Sequence, residues 1–311
     1  MTGYVIRRIL YTIPILFGVS LIIFFLFHWV GGDPVLQMLG KHATPDQVAE
    51  LRHELGFDQP KWKQYLDYLG QLATFEFGRS YSTRQRISEM ILDGIGPSFL
   101  LASLGFLITL SLAIIIALVS AYYRGKWIDR AVVLICVAGM SVSALAYILF
   151  GQYFLAYKLG WFPISGYEKG FPQNLAYVAM PVIIWVMVGL GWDVRFFRTS
   201  ILDETYKDYV RTARSKGLSE KKIFLKHILK NSMIPIITYV VIQIPFLILG
   251  SFLLESFFSI PGIGSITIDA INNSDFPVLK AMTTLISVLM IFGNLMTDIL
   301  YTLVDPRVRL Q

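Results

Sequence analysis

The sequence predicts an all-α polytopic membrane protein with six transmembrane helices and an external helical cap between the first and the second. Three observations carry that reading. Hydrophobic residues make up 55% of the 311-residue chain and charged residues only 15%, too apolar for a soluble domain of ordinary composition. Apolar runs of about 20 residues, the length that crosses a bilayer, recur along the chain. Lys and Arg collect at the ends of those runs, so the net charge of +6 reads as membrane orientation. A nucleic-acid reader would need its cations on one accessible face with stacking aromatics, and none is expected here as a partner.

The first span is expected over residues 9–30, behind Arg7 and Arg8. Bulky Phe, His and Trp finish the run where a cleavable signal peptide ends in small residues, so it reads as a retained helix with its N-terminus in the cytoplasm. Residues 1–30 form the tail and this helix; residues 31–96 form a mixed, polar extracytoplasmic segment. Within that segment Asp33-Pro34 makes a turn, 46–56 an amphipathic helix closed by Gly56, and Pro60 to Leu72 a second helix with Trp62, Tyr65, Leu66 and Leu69 on one side.

The second span is expected over 97–123, opened by Pro97 as a first-turn residue, and the third over 131–157. Arg124, Lys126 and Arg130 in the short connection place it in the cytoplasm. Gly139, Ser141, Ser143, Ala144 and Ala146 give the third span small residues for close helix approach. The run 160–167, GWFPISGY, suits an outer interfacial belt and turn. A fourth span from about Leu175 continues to Phe197, with Asp193, Arg195 and Arg198 at its cytoplasmic exit.

The fifth span, 234–258, is interrupted by Pro245. Glu255 near its outer end reads as a boundary carboxylate in contact with water. Residues 259–277, rich in turn formers, read as a short external or partly re-entrant element. The sixth span, 279–304, carries Asn294 and Asp298 at i, i+4, suited to an interhelical hydrogen bond. Residues 97–304 thus form the main transmembrane domain and 305–311, with Arg307 and Arg309, a cytoplasmic tail.

Between the fourth and fifth spans lies one long polar stretch, 203–235, whose charge is mostly basic. It reads as two short helices lying against the inner membrane face. Leu202, Tyr206, Tyr209, Val210 and Ala213 share one face of the first, with Asp203 as its N-cap. Gly217 stands where a C-cap needs positive φ, and Ser219 can cap the second helix at once. There Ile223, Phe224, Ile228 and Leu229 face one way, Lys222, Lys226 and Lys230 form a stripe suited to lipid headgroups, and Pro235 ends the helix. By pattern alone this is a basic amphipathic loop of an unspecified membrane protein.

No chemistry of the chain's own is visible. It has no Gly-rich loop followed by Lys-Ser/Thr, no nucleophile elbow and no HExxH pair. Cys136 is the single cysteine, and His28, His42, His53 and His227 share no ligand spacing, so neither a metal nor a cofactor is expected in this chain. The chain is therefore not expected to do covalent chemistry itself. An ion-coupled secondary transporter, the competing class, would be expected to show inverted repeats and ionisable groups near the midplane, and neither stands out.

Ala213 and Gly217 at i, i+4, followed by His227, Asn231 and Pro235, resemble the EAA loop of ABC-importer permeases. The wider run from Asp208 to Leu218 is similar to the dipeptide/oligopeptide subfamily, including Arg211-Thr212 where the general pattern has Glu-Ala. The segments GDP at 32–34, LGFDQP at 55–60, FGRS at 77–80, GWFPISGY, FSIPGIG and SDFPV also resemble that subfamily, and turn and packing chemistry accounts for them. The resemblance implies a type I ABC importer permease fold in a bacterial plasma membrane. It further implies a second homologous permease, two cytoplasmic ATPase subunits that bind the ATP and Mg, and an extracytoplasmic solute-binding protein. Carried onto this chain, the coupling residues are Tyr206, Tyr209, Val210, Thr212, Ala213, Gly217, Leu218, His227, Asn231 and Pro235. Of these, Tyr206, Tyr209, Val210 and Ala213 would fill a groove on the ATPase. Peptide is the first choice of substrate; nickel or metallophore, other peptide-like and oligosaccharide permeases share the motifs.

Overall fold

The computed structural model describes residues 2–29, 35, 39, 44–54 and 56–304. The described residues are helical, with no strand beyond an isolated bridge between Arg79 and Arg86. Among the described residues five helices are long and apolar enough to cross a membrane, or six spans if one sharply bent pair is taken together. The GDP turn at 32–34 and the tail with Arg307 and Arg309 lie outside the described residues.

α1, Thr2–Trp29, starts earlier than the sequence suggests, so Arg7 lies inside the helix and donates from Nε to the Tyr11 hydroxyl at 3.1 Å. α2, Pro45–Glu54, and α3, Lys61–Thr74, form the helical segment that follows. α3 does not bury the face expected of it. Tyr65 and Tyr68 are buried while Trp62 and Leu66 are more than half exposed, because α3 lies on the α1 face that presents Ile23 and Phe24. The Tyr65 and Ser20 hydroxyls share a hydrogen bond of 2.8 Å, and the Tyr68 hydroxyl one of 2.6 Å with Thr284.

α4, Ile87–Tyr122, is 36 residues long, about 54 Å at 1.5 Å per residue and well over the hydrocarbon thickness. Pro97 is buried inside it rather than opening it. Ile87 and Ile91 pack with Ile263, Val278 and Met282, and that burial extends the helix beyond the lipid-spanning length. α4 therefore reaches both ends of the bundle and forms the most extensive helix pair with α7, Gln173–Thr205.

The third span is not one straight helix. α5, Trp127–Met140, and α6, Ala144–Phe150 with its π-helical continuation Gly151–Lys158, meet at 89°. The break falls at Ser141–Ser143, where the Ser143 hydroxyl accepts from the Ala146 N–H and caps α6. The small residues expected to mediate close approach are largely exposed here.

α8, Asp208–Ser215, α9, Glu220–Ile223, a π turn at Phe224–Ile228 and α10, Leu229–Leu249, follow α7. Pro235 lies inside α10 and does not end the second amphipathic helix, and α10 also passes through Pro245. The interruption comes at Gly250, with φ +67°, a region open to glycine. α11, Phe252–Phe257, and α12, Ile263–Asn272, are two short helices folded onto the bundle, and α13, Phe276–Val304, closes it.

Glu255 corrects the sequence reading: it is fully buried rather than wetted. Its carboxylate accepts from the N–H groups of Ser251 at 3.0 Å, Gly264 at 2.7 Å and Ser265 at 3.3 Å, stapling α11 to the start of α12. A side chain at Gly250 or Gly262 would collide with it. Of the expected polar pair in α13, Asn294 is exposed and the Asp298 side chain lies outside the described residues.

Asp275 closes the opposite end of the bundle from α8. Buried at 2% exposure, it accepts from the Ser80 hydroxyl at 2.5 Å and the N–H groups of Tyr81 at 3.1 Å and Ser82 at 3.2 Å. Asp275→Ala leaves those donors unpaired, at about 1.5–3 kcal/mol for a charge-assisted bond. Amide exchange at Tyr81 and Ser82 is expected to rise at least tenfold; unchanged protection would show that the loop is held by other contacts.

Candidate functional site

α8 is a two-turn helix fixed to the bundle along one side. Val210 is fully buried and Ala213 is 7% exposed, both in a cluster with Phe197 and Ile201 of α7, Ile223 of α9, Ile228 of the π turn, Ile236 of α10 and Ala117 and Ala121 of α4. Val210 and Ala213 therefore face their own chain, which corrects the expectation that they fill a groove on another protein. The face left exposed carries Arg211, Thr212, Arg214 and Ser215. Thr212 spends its hydroxyl on the Asp208 carbonyl at 3.0 Å.

The end of α8 is a complete Schellman turn. The Gly217 N–H donates to the Arg214 carbonyl at 2.9 Å and the Leu218 N–H to that of Ala213 at 3.3 Å. Gly217 holds φ +75°, as the sequence requires. Leu218, half-buried, packs against the same cluster as Ala213. Ser219 occupies the N-cap of α9 as expected, though its side chain makes no cap hydrogen bond. An exposed pair, Arg214 to Glu220 at 2.7 and 3.2 Å, spans the turn and adds little in water.

The other end differs from the sequence reading. α7 runs on to Thr205, so Asp203 lies in its last turn and the N-cap of α8 is Lys207. Tyr206 is the hinge residue between the two helices. It is 62% exposed, and the Arg124 guanidinium of the α4–α5 loop lies 4.9 Å from its ring centre. Tyr209 donates to Glu204 at 2.8 Å, and the Asn231 side chain reaches the same hydroxyl. Burial pushes the phenol up to about 12, against the Asn231 contact and with a smaller push from Glu204, so it stays a neutral donor. Tyr209, Glu204 and Asn231 thus join the ends of α7, α8 and α10.

Phe224 and Ile228 of the π turn are buried, as the helical spacing indicates, while Lys222, Lys226 and Lys230 are exposed. Asn231 also donates to the His227 carbonyl at 3.1 Å; His227 itself is half-buried. Pro235 has no N–H to give the Asn231 carbonyl one turn back.

One constellation next to α8 escaped the sequence reading. Asp129, at 5% exposure, accepts from Arg198 at 2.8 and 2.9 Å, from the Ser120 hydroxyl at 2.6 Å and from the Gly125 N–H at 3.0 Å. It ties the ends of α4, α5 and α7 together with paired, charge-assisted bonds. Arg198 read as an exit charge and Asp129 was not singled out; their 69-residue separation hid the pair. Likewise Asp193 of α7 accepts from Tyr239 of α10 at 2.6 Å.

A displacement of α8 bears directly on α4, α7 and α10, and packed cores transmit such shifts as discrete rearrangements. Among the described residues no cluster of His, Cys, Asp and Glu could hold a metal ion.

Two family descriptions match the chain. Residues 113–310 match the binding-protein-dependent transport system inner membrane component and residues 1–102 the N-terminal part of such a membrane component. A putative peptide transport system permease protein of Brucella abortus is 33% identical, with 99% of each chain covered. A di/tripeptide transport system permease protein of Pseudomonas aeruginosa is 33% identical over 100% of both chains. A glutathione transport system permease protein of Shigella flexneri is 33% identical over 99% of each. With these full-length likenesses and its long apolar helices, the chain is a multi-pass inner membrane protein that belongs to the family of binding-protein-dependent transport system inner membrane components.

Proposed function

We propose that this chain is the permease subunit of an ATP-driven importer of di- or oligopeptides, and that α8 with its Gly217 turn receives the motion of a separate cytoplasmic ATPase. In this reading both termini are cytoplasmic, a second homologous permease completes the path, two ATPase subunits hold the ATP and Mg, and a solute-binding protein delivers substrate at the end closed by Asp275. The α2–α3 segment is the extracytoplasmic cap.

The observation that carries the reading is the placement of α8. Its inner side is locked into a cluster shared by three long helices, and its outer side is polar and open. Tyr206 and the exposed side of α8 are the contact surface for the ATPase, while Val210, Ala213 and Leu218 pass the push inward. Asn231 and His227 link it to α10. Peptide is favoured over nickel, metallophore or oligosaccharide because the three relatives carry peptide, di/tripeptide and glutathione names.

Vesicles containing the chain with its companion permease, ATPases and binding protein should take up labelled dipeptide only when ATP is supplied. Uptake by the chain alone, or uptake driven by an ion gradient without nucleotide, would overturn the reading.

A further inference from the structure

At the end of the bundle opposite α8, α1, α3, the 77–84 loop and the start of α13 enclose a cavity of about 770 Å³, within the range of small-ligand sites. One wall is aromatic and belongs to the membrane helices and the cap: Phe24 of α1 and Tyr68 of α3 are both buried. Lys280, one turn into α13, lies beside both rings. Its Nζ lies 3.8 Å from the Tyr68 ring centre and 5.3 Å from that of Phe24. Among the described residues no carboxylate comes within ion-pair distance of it. Lys61 and Arg84 add positive charge to the lining, against Asp67 as its acid. The Arg84 backbone is held at φ +61° with its carbonyl accepting from Arg79 at 3.0 Å, and its side chain is exposed.

A half-buried ammonium with ring faces on one side, cavity space on the other and no carboxylate in ion-pair distance among the described residues is short of an anion. The cavity sits where the α1 and α13 spans reach their ends, so apolar wall and cationic rim meet at the level of lipid headgroups. We propose that this cavity binds a phosphate anion, carried by the headgroup of an anionic phospholipid, with Lys280 as its central contact and Arg84 and Lys61 on the rim. The headgroup would then fasten α1 and the cap to α13.

The test uses the purified full chain, delipidated in neutral detergent and offered phosphatidylglycerol or phosphatidylcholine, with retained lipid counted by native mass spectrometry. One phosphatidylglycerol should be held, and Lys280→Met, which keeps the apolar stem beside the rings, should lower its occupancy about tenfold. Arg84→Gln, on an exposed loop, is the second variant should Lys280→Met not fold, and it should lower retention several-fold. Displacement of the lipid by inorganic phosphate would support the anion site and make free phosphate its occupant; resistance to displacement would assign the lipid. Equal retention of phosphatidylcholine, or undiminished phosphatidylglycerol in the folded variants, would overturn the proposal. No nucleotide or partner enters the assay, so its outcome is independent of the transport reading.

Discussion

Replacing Gly217 by valine is expected to abolish substrate-stimulated ATP hydrolysis in the reconstituted transporter, by at least tenfold, while the subunits still assemble. The cause is backbone, not crowding. A Cβ at this position would meet no atom within 4 Å, but φ is +75°. A residue in left-handed conformation costs about 1–2 kcal/mol, and more for a β-branched side chain. The chain would escape that cost by opening the Schellman turn, which frees the Ala213 and Arg214 carbonyls and lets α8 pivot instead of pushing. Gly217→Asn supplies the control, because asparagine tolerates this conformation and should retain most of the stimulation. Equal stimulation in the valine variant and the parent would show that the turn carries no force.

Asp129→Ala should be the most destabilising single change near the site. It strips a buried carboxylate from Arg198, whose side chain is only 21% exposed, and also leaves the Ser120 hydroxyl proton and the Gly125 N–H without their acceptor. Breaking one side of a buried pair costs about 3–5 kcal/mol. The expected result is a clear fall in the unfolding midpoint in detergent, together with weaker coupling as the α4–α5 loop loosens its hold on Tyr206. The double variant Asp129→Leu with Arg198→Met removes both charges and should recover much of the midpoint. If the single variant melts with the parent, the four hydrogen bonds contribute nothing net.

The lever shows how much of the site can be read from residues alone. The turn at Gly217 was legible because positive φ is a local demand that few residues meet. The inward face of α8 was also legible, since the spacing of Val210 and Ala213 fixes which side is apolar. What that face touches was not: a helix with one apolar side looks the same whether it seats in its own bundle or on another protein. The N-cap was misplaced from Lys207 to Asp203 for a related reason. Aspartate is the better capping residue, yet the packing of Phe197 and Ile201 keeps α7 helical beyond it to Thr205.

Pro97 and Pro235 mislead in the same way. Proline ends a helix in water because the freed carbonyl and the ring clash cost about 3 kcal/mol. In lipid, leaving helical geometry would expose more unpaired backbone than the proline itself does, so the helix continues through it. Glu255 read as a wetted carboxylate because no short pattern announces three backbone N–H donors arriving from residues 251, 264 and 265.

Composition and the order of apolar runs by themselves determined that this chain is a helical membrane protein with one long polar stretch between its spans, because crossing a bilayer demands a length and an apolarity that are written locally. Only the tertiary structure decided where the third span breaks and which face of α3 is covered. It alone joined Asp129 to Arg198, Asp275 to the 80–82 loop and Lys280 to two aromatic rings. Those pairings depend on which distant segments meet, and lipid, unlike water, gives no separate sequence signal for them, since buried and lipid-facing side chains are equally apolar.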